Sequence, residues 1–329
     1  MNRRSARVGG ILFGGVVAAA ILAPVLATNS PRQQFSRYAY APPMPPRIVD
    51  DEGRWHGPFV YPVRLVDPLE RRFETDRSRR IPLRWLANGK VVSVNAAEGP
   101  WLPLGGDAVG RDVYSRLVLG ARLSLGVALL AAVGALAFGA ALGAIAGYAG
   151  GRVETLLMTI ADFVIVLPVI YVVLALRAAM PLVLTTFEVF WVTTIVLALA
   201  GWPFAARGVR AIVALESRKE YAEAARALGA SRWRILQRHL LPAARGFLLV
   251  QGTLLVPAFV LAEATLSFVG LGFGEPAASW GGMLREAGRG GFAEAPWLLS
   301  PIVAIALTLL GLQLLGSFAG RAPSNTLKP

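Results

Sequence analysis

Three stretches of this chain carry no charge at all: residues 8–31, 123–151 and 295–320. A helix rising 1.5 Å per residue needs about 20 apolar residues to cross a bilayer, so each stretch is long enough to span one. Three more apolar stretches hold a single acid each: 155–176 with Asp162, 185–206 with Glu188 and 246–272 with Glu263. With 55% hydrophobic residues and a mean hydropathy of +0.55, the chain reads as an all-α membrane protein with about six transmembrane helices.

The net charge of +13 then becomes a statement about orientation. Short cytoplasmic segments are enriched in Lys and Arg, whereas long loops translocate largely regardless of charge. With the N-terminus inside, the inner segments hold 15 basic residues, nine of them from Arg207 to Arg245. The short outer loops hold only Arg177, Arg285 and Arg289. The other 15 lie between Arg32 and Arg122, alongside ten acids. Both termini are thus expected in the cytoplasm, and the basic excess gives no support for a nucleic-acid partner. The first span also reads as a cleavable signal peptide ending at Val25-Leu26-Ala27.

Residues 30–105 differ in composition and form an outer insertion. Seven prolines from Pro42 to Pro68 stiffen its first half. Phe59-Val60-Tyr61 and Lys90 to Val94 are expected as short strands, with Asn88-Gly89 as a turn before the second. Leu69 to Arg84 alternates charge and is expected as a solvated helix or loop. Trp55, Tyr61, Trp85 and Trp101 either cover a small core or sit at the membrane interface.

Several chemistries are excluded. There is no cysteine, and the only histidines are His56 and His239, so thiolate chemistry and a histidine metal cage are out. No Gly-Lys-Ser/Thr phosphate loop occurs, nor a His-Glu-x-x-His or Gly-x-Ser-x-Gly motif. The chain is expected to be no enzyme and to bind no cofactor or metal.

The longest inner segment, 207–245, is more informative. Glu220 to Leu228 is rich in helix formers, and Tyr221, Ala224, Ala225 and Leu228 share one face at i, i+3, i+4 and i+7. Gly229 is placed to end that helix, Ser231 to cap a second one through about Gln237, and Pro242 to mark the return to the next span. Glu223-Ala224-Ala225, three residues, Gly229, nine residues, then His239-Leu240-Leu241-Pro242 resembles the EAA loop of ABC-importer permeases. His239 stands where that pattern usually has Ile. Gly105 to Leu125, including Asp107, Gly110, Arg111 and Asp112, resembles the segment before the second span in the C-type subunits of dipeptide, oligopeptide and nickel importers. Leu102 and Gly106 replace that family's usual His and Thr. Glu263 to Gly272, Ser279-Trp280-Gly281 and Pro296-Trp297 extend the resemblance, which covers about 105–315 and leaves the outer insertion uncovered.

The resemblance implies a type I ABC importer permease fold in the inner (plasma) membrane, with a small irregular or partly β periplasmic insertion. The implied layout is an anchor at 1–29, an insertion at 30–105, a five-helix core at 106–320 holding the coupling loop, and a cytoplasmic tail at 321–329. Implied partners are a second permease, two cytoplasmic ATPases that use ATP and Mg, an external substrate-binding protein and membrane lipid. The implied cargo is a dipeptide or oligopeptide, with nickel or a metal chelate as the alternative. A non-transport membrane scaffold is the reading from another class. Tyr221, Glu223, Ala224, Ala225 and Leu228 would dock on an ATPase, with Gly229, His239, Leu241 and Pro242 shaping the loop. Asp162 and Glu263 are candidates for the pathway, or for polar contacts between helices, the latter being favoured. Gly139, Gly143, Gly147 and Gly151 recur every four residues and are expected to let two helices approach closely.

Overall fold

The computed structural model describes residues 3–87, 89–168, 171–175, 184–289, 293 and 295–319. The chain divides into two compact units. One comprises Met1–Phe13, Val127–Glu263 and Thr308–Pro329; the other comprises Gly14–Gly126 and Ala264–Leu307.

Each of the six apolar stretches is helical over most of its described part: α1 (Arg3–Ile21), α2 (Val113–Ala149), α3 (Gly151–Val166), α4 (Thr186–Glu216), α7 (Arg245–Val269) and α9 (Ser300–Ala319). Among the described residues, α2, α4, α7 and Pro296–Gly316 are long and apolar enough to cross a membrane; the apolar part of α1, Ser5–Ile21, is shorter. The helix bounds depart from the charge-free stretches. α2 begins ten residues earlier, because Asp112 caps it by accepting from Tyr114 N at 3.0 Å and because Arg116 within it has acid partners. α4 runs on to Glu216 and takes Arg207 and Arg210 out of the expected loop. α1 stops at Ile21, and a separate turn, Ala23–Leu26, starts around Pro24. α3 ends at Val166, where Leu167 turns extended before Pro168, so 155–176 is not one continuous helix.

In the first unit, α2 packs on α4 through three of the four spaced glycines. A methyl group at Gly139 would overlap Ala205 at 2.7 Å, one at Gly147 would meet Arg210 O at 2.5 Å, and one at Gly143 would overlap the Ala206 backbone. Gly151 does not belong to this stripe. It has open space around it and a φ of +54, and with Gly150 it breaks the chain between α2 and α3. α1 and α9 make a similar approach: a methyl group at Gly9 would meet the Gly311 carbonyl oxygen at 2.7 Å.

In the second unit, the insertion forms three small sheets. β1 (Arg47–Val49), β2 (Trp55–Val60) and β5 (Ile81–Pro82) make one; β3 (Val63–Asp67) pairs with β4 (Arg72–Thr75), and β6 (Arg84–Trp85) with β7 (Val92–Ser93). All pairings are antiparallel, with Val60 opposite Ile81 and Leu65 opposite Phe73. The stretch 69–84 is therefore corrected: it holds β4, β5 and the start of β6. Phe73 turns inward between Arg72 and Glu74, a period-two pattern that the charges mask, and Ile81 turns inward between Arg80 and Pro82. Ala41, Met44, Val60, Val63, Ile81, Trp101 and Leu102 form the core, and Trp101 Nε1 donates to Met44 O at 2.9 Å. Trp101 and Tyr61 are buried, whereas Trp55 and Trp85 are exposed. Of the expected Asn88-Gly89 turn, Asn88 lies outside the described residues; so does the tail at 321–329.

Candidate functional site

The segment after α4 folds into a helical knob. α5 (Glu220–Ala227) closes with two hydrogen bonds, Gly229 N to Arg226 O and Ala230 N to Ala225 O, both 3.0 Å. Gly229 lies at φ +78, the left-handed geometry such a closure demands of its C′ residue. Ser231 accepts from Arg234 N at 3.3 Å and caps α6 (Arg232–Ile235). The helical path then widens into a π turn, Leu236–Leu240, followed by Leu241–Ala243, which holds Pro242. The second helical run thus extends past the expected end at Gln237.

The expected docking face is not uniform. Leu228 is 88% exposed, and Tyr221 and Ala224 are exposed, but Ala225 leans toward the core. The residue that anchors α5 is Ala222, fully buried. With Ile235, Leu236 and Leu240 it packs against Ala140, Ala144, Val209 and Val213 of α2 and α4. Burying Ile235 and Leu240 contributes roughly 2 kcal/mol each. The available signal for this seam was Ile235-Leu236 followed by Leu240 in a basic stretch. Leu236 and Leu240 fit the 3.6-residue period, but Ile235, five residues before Leu240, joins their face only through the π turn. Tyr221 donates its hydroxyl to Glu216 Oε2 at 2.7 Å, and its ring lies 6.1 Å from that of His239. Burial and that hydrogen bond push the Tyr221 hydroxyl up to about 12. Glu223 is exposed and shares a cavity of about 650 Å³ with Arg218, Arg226, Arg232 and Trp233. His239 is exposed, and Leu241 and Pro242 are half-buried.

In the second unit, the segment before α2 forms a buried charge cluster. Asp107 takes Arg111 Nε at 2.6 Å and a terminal nitrogen of Arg116 at 3.0 Å on one carboxylate oxygen. Arg111 also pairs with Glu275 and with Glu286, and Arg116 donates to Glu286 at 2.6 Å. Glu286 lies on α8 (Trp280–Gly288), capped by Ser279. Arg116, Glu275 and Glu286 were not among the residues expected from sequence, because the acids lie more than 150 positions from their partners. Gly110 turns the loop at φ +76 against Phe35, whose N–H donates to Gly110 O at 3.2 Å. Asp112 is fully buried, and burial pushes its carboxyl up although it accepts from Ser115, Thr28 and Asn29. The motif segments converge here: Trp297 Nε1 donates to Gly106 O at 3.0 Å, and Trp280 N to Ser124 Oγ at 3.1 Å.

Of the two acids expected at the pathway or between helices, Glu263 is fully buried in α7. Asp162 pairs with Arg207, and Glu154, eight residues earlier on α3, pairs with Arg210, so two ion pairs join α3 to α4. They border a cavity of about 580 Å³ that Thr155 also lines. The Asp162 and Arg207 side chains are 57% and 49% exposed. Among the described residues no cluster of three or more His, Cys, Asp or Glu is placed to hold a metal.

Residues 139–322 match the family profile described as binding-protein-dependent transport system inner membrane component, and 1–43 match the N-terminal TM domain of oligopeptide transport permease C. The chain therefore belongs to the binding-protein-dependent transport permeases, embedded in the membrane. It is 39% identical over 214 residues to the dipeptide transport system permease protein DppC of Bacillus subtilis, covering 64% of this chain and 65% of that one. The oligopeptide transport system permease protein OppC of the same organism is 37% identical over 213 residues, 64% of this chain and 68% of that one. A putative peptide transport system permease protein of Brucella suis is 32% identical over 320 residues, 96% of this chain and 86% of that one. A chain from an inward-facing structure of the MetNI methionine ABC transporter superposes with a TM-score of 0.51 at 20% identity, covering 63% of this chain and 95% of that one. The fold is that of the type I importer permeases.

Proposed function

We propose that this chain is one permease subunit of an ATP-driven importer for dipeptides or oligopeptides, working with a second permease, two cytoplasmic ATPases and an external binding protein. The observation that carries this reading is the α5–Gly229–α6 knob. It is braced on α2 and α4 by Ala222, Ile235 and Leu240, and it presents Leu228, Ala224 and Glu223 outward. An ATPase holding that surface moves the two spanning helices with it, the rigid-body motion that alternating access needs. ATP and Mg act on the ATPases, and this chain transmits the stroke. The names of the relatives support peptides as cargo.

The α3–α4 cavity supports a passage wall. Charged side chains half exposed on a spanning helix are costly against lipid, so Asp162, Arg207, Glu154 and Arg210 face water or protein. Such a wall, with acids and bases alternating, suits a cargo that carries an ammonium at one end and a carboxylate at the other. The test is reconstitution of the full assembly with uptake of labelled peptides. Uptake that depends on ATP, the binding protein and this chain is expected. An assembly that forms but transports no peptide of any length would overturn the peptide reading.

A further inference from the structure

The outer insertion is stitched to the end of the first span. The chain carries no charge after Arg7 until Arg32, and from Val8 to Leu26 it is helical apart from the break at Leu22. Nineteen residues at 1.5 Å each cover about 28 Å, close to the roughly 30 Å of a hydrocarbon core. Val25 and Leu26 therefore stand at the membrane boundary opposite the arginine cluster. Val91 N donates to Val25 O at 2.8 Å, and Lys90 Nζ donates to Thr28 O at 2.5 Å. Across the β6–β7 hairpin, Leu86 N donates to Val91 O at 2.9 Å, and Trp85 stands opposite Val92. Hydrogen-bonded backbones lie about 5 Å apart, so Leu86 is within about 10 Å of that boundary. The polar layer beyond the hydrocarbon is itself about 5–7 Å thick.

The residues held there are the wrong ones for water. Leu86 is 83% exposed and Trp85 62% exposed, while Trp101 of the same insertion is buried in its core. Leu86 also sits at φ +51, a conformation leucine rarely adopts, which the hairpin bonds hold in place. Tryptophan with its apolar body and polar edge concentrates at headgroup depth, and a lysine beside it keeps its ammonium in the polar layer. We propose that the tip of the β6–β7 hairpin, Trp85 with Leu86, inserts into the phospholipid interface and seats the insertion on the membrane surface. This rests on the reading of α1 as a membrane-crossing helix.

The absence of cysteine makes the test direct. The full chain carrying one cysteine, Leu86→Cys, Ile11→Cys or Leu69→Cys, is spin-labelled and placed in nanodiscs of phosphatidylethanolamine and phosphatidylglycerol. Collisions with oxygen, which enriches in lipid, are compared with those of a water-soluble nickel chelate. Leu69, 95% exposed on the β3–β4 turn, serves as the water reference, and Ile11 in α1 as the lipid reference. The label at 86 is expected to favour oxygen several-fold over its ratio at 69. A ratio at 86 equal to that at 69, or shielding from both reagents, overturns the proposal while lipid exposure at 11 leaves the span intact. A water-like ratio at 11 would instead remove the span itself. Trp85→Cys, which leaves Leu86 in place, is expected to repeat the result.

Discussion

Arg116, almost fully buried near the start of α2, donates to Glu286 of α8 at 2.6 Å, and Arg111 reaches the same carboxylate at 3.0 Å. Burial, together with the hydrogen bond it shares with Glu275, pushes Glu286 up to about 7. Glu275 is held down at about 2: its own burial opposes this, but the bonds to Glu286 and Arg111 and the charges of both arginines outweigh it. The folded chain keeps a proton on Glu286 between pH 4.5 and about 7 that the unfolded chain has released. The stability from Glu286 is therefore complete below pH 4.5 and lost as pH rises through about 7. Glu275 acts in the opposite sense, and its contribution falls away only as pH drops from 4.5 toward 2. Glu286→Gln should flatten the fall in melting temperature between mildly acidic and mildly alkaline buffer. Equal falls for the variant and the parent, followed by tryptophan fluorescence in detergent, would refute the assignment.

Gly143→Ala and Gly151→Ala separate two roles that one spacing suggested. At Gly143 a methyl overlaps the Ala206 backbone, which no side-chain rotation relieves, so α2 and α4 must part. At Gly151 there is room, and only the φ of +54 opposes the change, worth about 1 kcal/mol. The Gly143 variant should lose at least twice as much stability in urea or thermal melts. A reversed order would show that the helix pair does not depend on the close approach.

How far these features can be read from the sequence depends on range. The spans were legible because lipid enforces charge-free runs, and the Gly229 turn because its signal is local. The helix ends were harder to place: Arg116, Arg207 and Arg210 look like loop residues until Glu286, Asp162 and Glu154 are seen beside them. The strands between 69 and 84 were hidden by the charges beside them, Arg72 and Glu74 around Phe73, and Arg79 and Arg80 before Ile81. The knob's anchor, Ala222, carries no signal in the sequence, because small alanines on every side of α5 leave the buried face unmarked.

Gly229→Asp and Leu240→Ala should damage the knob in different ways. Gly229 is exposed with open space around it, so the aspartate costs about 1 kcal/mol of backbone strain and leaves the packing intact. Leu240 is fully buried, and truncation should cost about 2–5 kcal/mol. In the reconstituted assembly, Gly229→Asp is expected to keep its yield and melting temperature and lose most peptide-coupled ATP hydrolysis. Leu240→Ala is expected to lose yield first. Normal coupling with Gly229→Asp would remove the knob from the transmission path.

Asp162 and Arg207 offer a test by cycle. Asp162→Asn alone leaves Arg207 without its partner on a spanning helix, and Arg207→Gln does the same to Asp162. An uncompensated charge at bilayer depth costs about 2.5–3.5 kcal/mol at the centre, and less here because both groups are half exposed. The double variant Asp162→Asn with Arg207→Gln leaves neither stranded. It should therefore melt above the sum of the two single losses, a coupling of order 1 kcal/mol. Peptide uptake should fall in all three, because the wall of the passage loses its charges whichever partner is removed. Strict additivity in the melts would show that the pair is not formed in the membrane. Unchanged uptake in the double variant would place the passage on another face of α3 and α4.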